Sequence, residues 1–198
     1  MGWRQGLLIL GAAALAACLG LVASVALYGT GPLMRSELGQ RLLRPLLSAD
    51  DPPGLQVVEV GESVPRIRLF DLQGQLHVLP RPGRRVVLNY WAGWCGPCRE
   101  EMPLLADYSR LKTGSGVEVV GIALDTSEGA QAFLSEFPVP FPTLIEAPGE
   151  RDSSVQLGNR RSVLPFTVLI SAEGTLLKRQ FGAFASPDEL KAWVEEAD

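Results

Sequence analysis

The run Val86-Val87-Leu88-Asn89-Tyr90-Trp91-Ala92-Gly93-Trp94-Cys95-Gly96-Pro97-Cys98-Arg99-Glu100-Glu101-Met102-Pro103 decides how the rest of the chain is read. Its first five residues are β-rich and mostly apolar, as expected of a strand covered on both faces. Beyond it, Leu104, Leu105, Tyr108 and Leu111 fall at helical spacing, which predicts a helix over 98–111. Cys95 and Cys98 therefore stand where a strand hands over to a helix. At a helix N-terminus the free N–H groups and the dipole favour negative charge. That lowers the pKa of the Cys95 thiol, and the thiolate is the nucleophile. Cys98 is one turn further on and can face Cys95 across a short ring. Cys95 can then attack a disulfide and Cys98 can resolve the mixed disulfide. Pro97 fits the first turn, where its missing N–H costs nothing.

Working outward, Ile67-Arg68-Leu69 and Leu76-His77-Val78-Leu79 alternate around an Asp71-Leu72-Gln73-Gly74 turn, a hairpin signal. Residues 117–124 read as a second apolar strand. Ala130, Phe133, Leu134 and Phe137 form an amphipathic helical stripe. Residues 166–170 and 176–181 are two strands joined by a turn at 171–174. Ser186, Pro187 and Glu189 open a final helix as a capping box, with Leu190, Trp193, Val194 and Ala197 as its buried stripe. The stretch 138–162 has no readable signature. Strand–helix–strand units imply parallel pairing, and the late hairpin an antiparallel edge. The expected fold class is α/β, a mixed sheet sandwiched by helices with an N-terminal β-hairpin extension.

The composition narrows the function. Among 198 residues there are three cysteines, one histidine and a net charge of −4. A closed zinc site needs more Cys and His than this chain can easily supply, so no metal site is expected. Disulfide-stapled scaffolds use more cysteines in shorter chains. A permanent structural role for a Cys95–Cys98 disulfide is poorly motivated, because so short a ring constrains little of the unfolded chain. With no basic excess there is no reason to expect a nucleic-acid partner.

The quoted run resembles the active-site region of the thioredoxin superfamily, and most of all its membrane-tethered TlpA/ResA-like thiol–disulfide oxidoreductases. The resemblance covers residues 61–198. It implies a redox cycle between Cys95 and Cys98 with no other cofactor, acting on disulfide-bearing proteins. It implies a cis-proline loop facing the cysteines, matched here by Pro165, with the Leu164 backbone pairing with an extended substrate segment. Trp94, Gly96 and Pro97 complete the expected substrate rim. Thioredoxins proper carry a buried Asp six residues before the first cysteine, where this chain has Asn89. Glu101 matches an acidic position of the ResA-like branch linked to the acid–base behaviour of the cysteines. It is read either as a manager of the Cys98 proton or as a solvated surface carboxylate. Gly96-Pro97 is the thioredoxin-like choice and suggests a reductase, which in an oxidising compartment draws electrons from a membrane thiol reductase.

The compartment follows from the chain's head. Residues 6–28 form an uncharged apolar run of 23 residues, about 35 Å as a helix, enough to span a bilayer core. An uncleaved anchor is the favoured reading. A cleaved signal peptide ending near Ser24-Val25-Ala26 and a lipoprotein signal at Cys18 are the alternatives. The expected organisation is an anchor or signal at 1–30, a stalk at 31–60, and a thioredoxin-like domain at 61–198 facing the periplasm. Two other functions of the same fold are less well matched. A peroxiredoxin-like peroxidase needs a Thr where Ala92 stands. A copper-handling binding protein of the same fold needs a histidine, and only His77 is available.

Overall fold

In the computed structural model, which describes residues 54–196, the apolar run at 86–90 lies within strand β3 (Arg85–Trp91). Every β3 residue after Arg85 is buried. The sheet is completed by β1 (Ile67–Asp71), β2 (Leu76–Leu79), β4 (Val117–Leu124), β5 (Thr143–Glu146), β6 (Phe166–Ile170) and β7 (Leu176–Phe181), in the spatial order β2-β1-β5-β4-β3-β6-β7. β3, β4 and β5 run parallel. The remaining pairs are antiparallel, with β2 and β7 at the two edges. Helix α1 (Gly96–Leu111) crosses from β3 to β4, and α2 (Ser127–Glu136) from β4 to β5. The single-turn α3 (Ser153–Gln156) and the terminal α4 (Pro187–Glu195) follow.

The alternation of strand residues divides the core in two. Val87, Trp91, Val119, Ala123 and Leu169 face α1, α2 and α4, meeting Met102, Leu105, Phe133, Leu190 and Val194. Val86, Leu88, Tyr90, Val120, Ile122 and Val168 face the other way, toward Val58, Val64 and Leu157. Each such side chain, fully buried, is worth roughly 1.5–3 kcal/mol. The helices therefore do not sandwich the sheet evenly. The three longer ones share one face, while α3 and the chain around 58–64 cover the other. Packing also begins ahead of residue 61: Val58 is buried, and its N–H donates to the Gln156 carbonyl at 2.8 Å.

The expected hairpin forms, and Asp71 Oδ1 shapes its turn by accepting the N–H groups of Gln73 and Gln75 at 3.0 and 2.8 Å. The stretch 138–162 is not irregular throughout, because it contains β5 and α3. β5 is four residues long and follows Pro138, Pro140 and Pro142, which break a strand pattern. Proline still offers its carbonyl, and Pro142 O accepts the Gly121 N–H at 2.9 Å. At α4 the capping box is shifted by one residue. Ser186 Oγ accepts from Glu189 N–H, but the Glu189 carboxylate reaches the N–H of Ala185. Among the described residues no helix is long and apolar enough to cross a membrane. The apolar stretch 6–28, Cys18, most of the expected stalk and Ala197 lie outside the described residues.

Candidate active site

Cys95 is the N-cap of α1, with extended backbone at φ −85° and ψ 106°. It is joined to Cys98 by a disulfide, and the Cys98 N–H points at Cys95 Sγ at 3.3 Å. This is the geometry in which a helix's free N–H stabilises a thiolate once the bond is reduced. Cys95 is 5% exposed and Cys98 1%, while Gly96 and Pro97 are open to solvent. Trp94 stands beside them with 72% of its surface exposed. The approach to the cysteines is clamped from below. The Gly93 N–H donates to Asp125 Oδ2 at 2.9 Å, at the end of β4. A side chain at Gly129 would strike that carboxylate, 2.6 Å from its Oδ1, so α2 needs a glycine there.

Pro165 follows a cis peptide bond from Leu164. Leu164 packs against the cluster that contains both cysteines, and among the described residues its backbone makes no hydrogen bond. The loop around it is held on both sides. The buried Asn159 side chain bonds both the N–H and the carbonyl of Val163 at 2.9 Å. The Gly182 N–H donates to Pro165 O at 2.9 Å.

Glu101 is not a surface carboxylate. It is 1% exposed, whereas its neighbour Glu100 is exposed. One oxygen, Oε1, accepts the backbone N–H of Phe184 at 3.0 Å. The other, Oε2, accepts Asn89 Nδ2 at 2.9 Å. Burial raises the Glu101 pKa from 4.5 to about 7; the two donors act against that rise, and repulsion from Glu189 adds to it. The second N–H of Asn89 donates to Thr167 Oγ1 at 2.9 Å. In the sequence Asn89 is marked only as the residue standing where thioredoxins carry a buried Asp; Thr167 and the Phe184 backbone had not been expected at the site. Asn89 and Thr167 were signalled by polar letters inside the apolar runs of β3 and β6. A backbone N–H has no such signal.

His77 lies elsewhere. It sits on edge strand β2, four places across the sheet from β3. Its Nε2 is 2.7 Å from Asp71, and Arg81 donates to its Nδ1 at 2.9 Å. That engagement removes it from any site built around the cysteines. Among the described residues no group of three or more potential ligands is placed to hold a metal.

The family model described as Redoxin matches residues 59–193. The chain belongs to the Redoxin family. It stands within the thioredoxin superfamily beside the TlpA/ResA-like enzymes. It is 32% identical over 157 residues to the Thiol:disulfide interchange protein DsbE homolog of Paracoccus denitrificans, covering 77% of this chain and 83% of that one. It is 31% identical over 127 residues to the Thiol-disulfide oxidoreductase ResA of Bacillus subtilis, covering 63% of this chain and 69% of that one. Among solved structures it is similar to a secreted disulfide oxidoreductase of Mycobacterium tuberculosis. There the identity is 25% and the TM-score 0.56, covering 66% of this chain and 95% of that one.

Proposed function

We propose that this thiol–disulfide oxidoreductase reduces disulfides of extracytoplasmic proteins through a Cys95–Cys98 dithiol/disulfide cycle. The observation that carries the reading is the Cys95–Cys98 disulfide at the N-cap of α1, packed in one cluster with Leu164 of the cis-proline loop. In the reduced protein Cys95 is the thiolate, because it is the more exposed residue of the pair and its sulfur faces the helix N–H. It attacks one sulfur of the substrate disulfide, and the other leaves as a thiolate that takes up a proton. Cys98 gives up its proton and attacks Cys95 Sγ, releasing the second substrate thiol. Two electrons pass to the substrate, and the enzyme is left as the disulfide described here. Leu164 offers its backbone for an extended substrate segment, with Pro165 shaping the loop behind it, and Trp94, Gly96 and Pro97 form the rim it crosses. Glu101, buried one turn beyond Cys98, is the group that receives the Cys98 proton.

The return of electrons is assigned to a membrane thiol reductase, and the location to the periplasmic side of a membrane held by residues 6–28. The uncharged length of that stretch and the similarity to a secreted disulfide oxidoreductase of Mycobacterium tuberculosis support this placement. The test is Cys98→Ser in the full chain. It should accumulate mixed disulfides through Cys95 with extracytoplasmic proteins, and Cys95→Ser should abolish both trapping and turnover. Turnover that survives Cys95→Ser would sink the cycle.

A further inference from the structure

Three contacts converge on one carboxylate, and one atom among them is left over. Asn89 Nδ2 spends one N–H on Glu101 Oε2 and the other on Thr167 Oγ1, both at 2.9 Å. Its Oδ1 is buried and makes no hydrogen bond among the described residues. A buried acceptor without a partner is costly, and one kept in place calls for an explanation. Turned over, the amide would aim Oδ1 at Glu101 and set two acceptors against each other whenever the carboxyl is ionised. That repulsion sets the orientation that keeps a donor on Glu101, and Thr167 Oγ1 holds the amide in it by accepting the second N–H.

We propose that Asn89, locked by Thr167, is a positioning residue that sets the proton affinity of Glu101. This rests on the reading of Glu101 as the group that receives the Cys98 proton. A hydrogen bond donated to a carboxylate favours its ionised form. Burial drives Glu101 the other way, and among the described residues two donors oppose it, the Asn89 amide and the Phe184 N–H. Both are built into the frame of the Pro165 loop. Thr167 lies two residues beyond Pro165 on β6. Phe184 lies two residues beyond Gly182, whose N–H holds Pro165 O. The groups around Glu101 are thus Asn89 from β3, Thr167 behind it on β6, the Phe184 backbone, Glu189 of α4, and the cysteines of its own helix. Of these, only Glu189 and the reduced cysteines carry charge.

The test follows the Glu101 carboxyl carbon by NMR titration of the full chain, assigned by its loss in Glu101→Gln. Asn89→Ala should raise the midpoint by about one pH unit or more, a tenfold gain in proton affinity. Thr167→Val should raise it by a smaller step, and Thr167→Ser should restore the wild-type midpoint. A folded Asn89→Ala protein whose midpoint does not move overturns the proposal. Should Asn89→Ala not fold, the Thr167→Val and Thr167→Ser pair decides, and equal midpoints in those two overturn it. The pH profile of disulfide exchange separates this from the reading beneath it. A midpoint that moves while the profile stays fixed leaves Asn89 as the positioning residue and removes Glu101 from the reaction.

Discussion

Asn89 and Tyr90 are neighbours on β3, face opposite sides of the sheet, and each leads to a carboxylate. On the helix-covered face Asn89 donates to Glu101 beside the disulfide. On the other face Tyr90 OH is 2.9 Å from Ser153 Oγ, which donates to Glu146 Oε2 at 2.5 Å, while the Ser153 N–H donates to Glu146 Oε1 at 3.0 Å. Burial raises both carboxyl pKa values, and hydrogen bonds lower both. The surroundings differ. Glu146 closes a connection between the end of β5 and the start of α3, holding a loop in place. Glu101 ties α1 to β3 through Asn89 and to the chain after β7 through the Phe184 N–H, and it lies one turn beyond Cys98 of the redox pair. Burial of an acid thus says little about its use until the groups it serves are named.

The largest effect expected from breaking this comparison is on Glu101. Its folded pKa of about 7 stands above the 4.5 of the unfolded chain, so the folded state holds the extra proton between those values. The Glu101 contribution to stability then falls as pH rises from about 4.5 to 7, by about 3 kcal/mol in all. Glu101→Gln should flatten that slope in urea unfolding measured across the window. An unchanged slope would mean that Glu101 is ionised well below pH 7. Ser153→Ala on the opposite face should act differently. It leaves the Tyr90 hydroxyl and one Glu146 oxygen without their partner, costing about 2 kcal/mol at any pH above the carboxylate range. The reduction potential of the Cys95–Cys98 pair should stay where it is. A potential that shifts with Ser153→Ala would show that the two faces are not independent.

How much of this was legible depends on what each element spends its residues on. β3, β4 and β6 are apolar runs bounded by turn residues, and their limits were readable to within a residue or so. β5 hid behind three prolines, because a strand that opens on a proline carbonyl uses the atom that a propensity reading ignores. The cysteine pair was legible from spacing and from its place after a strand. Glu101 was legible as a position, through resemblance, but not as a buried group. The next residue, Glu100, is the same letter and is exposed, and only the helix phase against β3 and α4 separates them. The second donor to Glu101 is the backbone of Phe184, which would be present whatever residue stood there.

The smallest change gives the sharpest test of the contrast. Ser153 Oγ already spends its proton on Glu146, so the Tyr90 hydroxyl is the donor in the 2.9 Å contact. Tyr90→Phe removes that one donor and keeps the ring, which packs 5.8 Å from Phe166 between centroids. The Ser153–Glu146 bonds survive. The loss is therefore one neutral hydrogen bond, about 1 kcal/mol, partly offset because a buried hydroxyl no longer has to be desolvated. The substitution should lower the urea midpoint slightly and leave the slope with pH, the reduction potential and the rate of disulfide exchange unchanged. Asn89→Ala, one residue away, also removes a single donor group, but one that faces a carboxylate. If Glu101 carries the proton of the reaction, that change must appear in the pH profile, where Tyr90→Phe is silent. Equal silence from both would make the two faces equivalent and reduce Glu101 to a structural acid like Glu146.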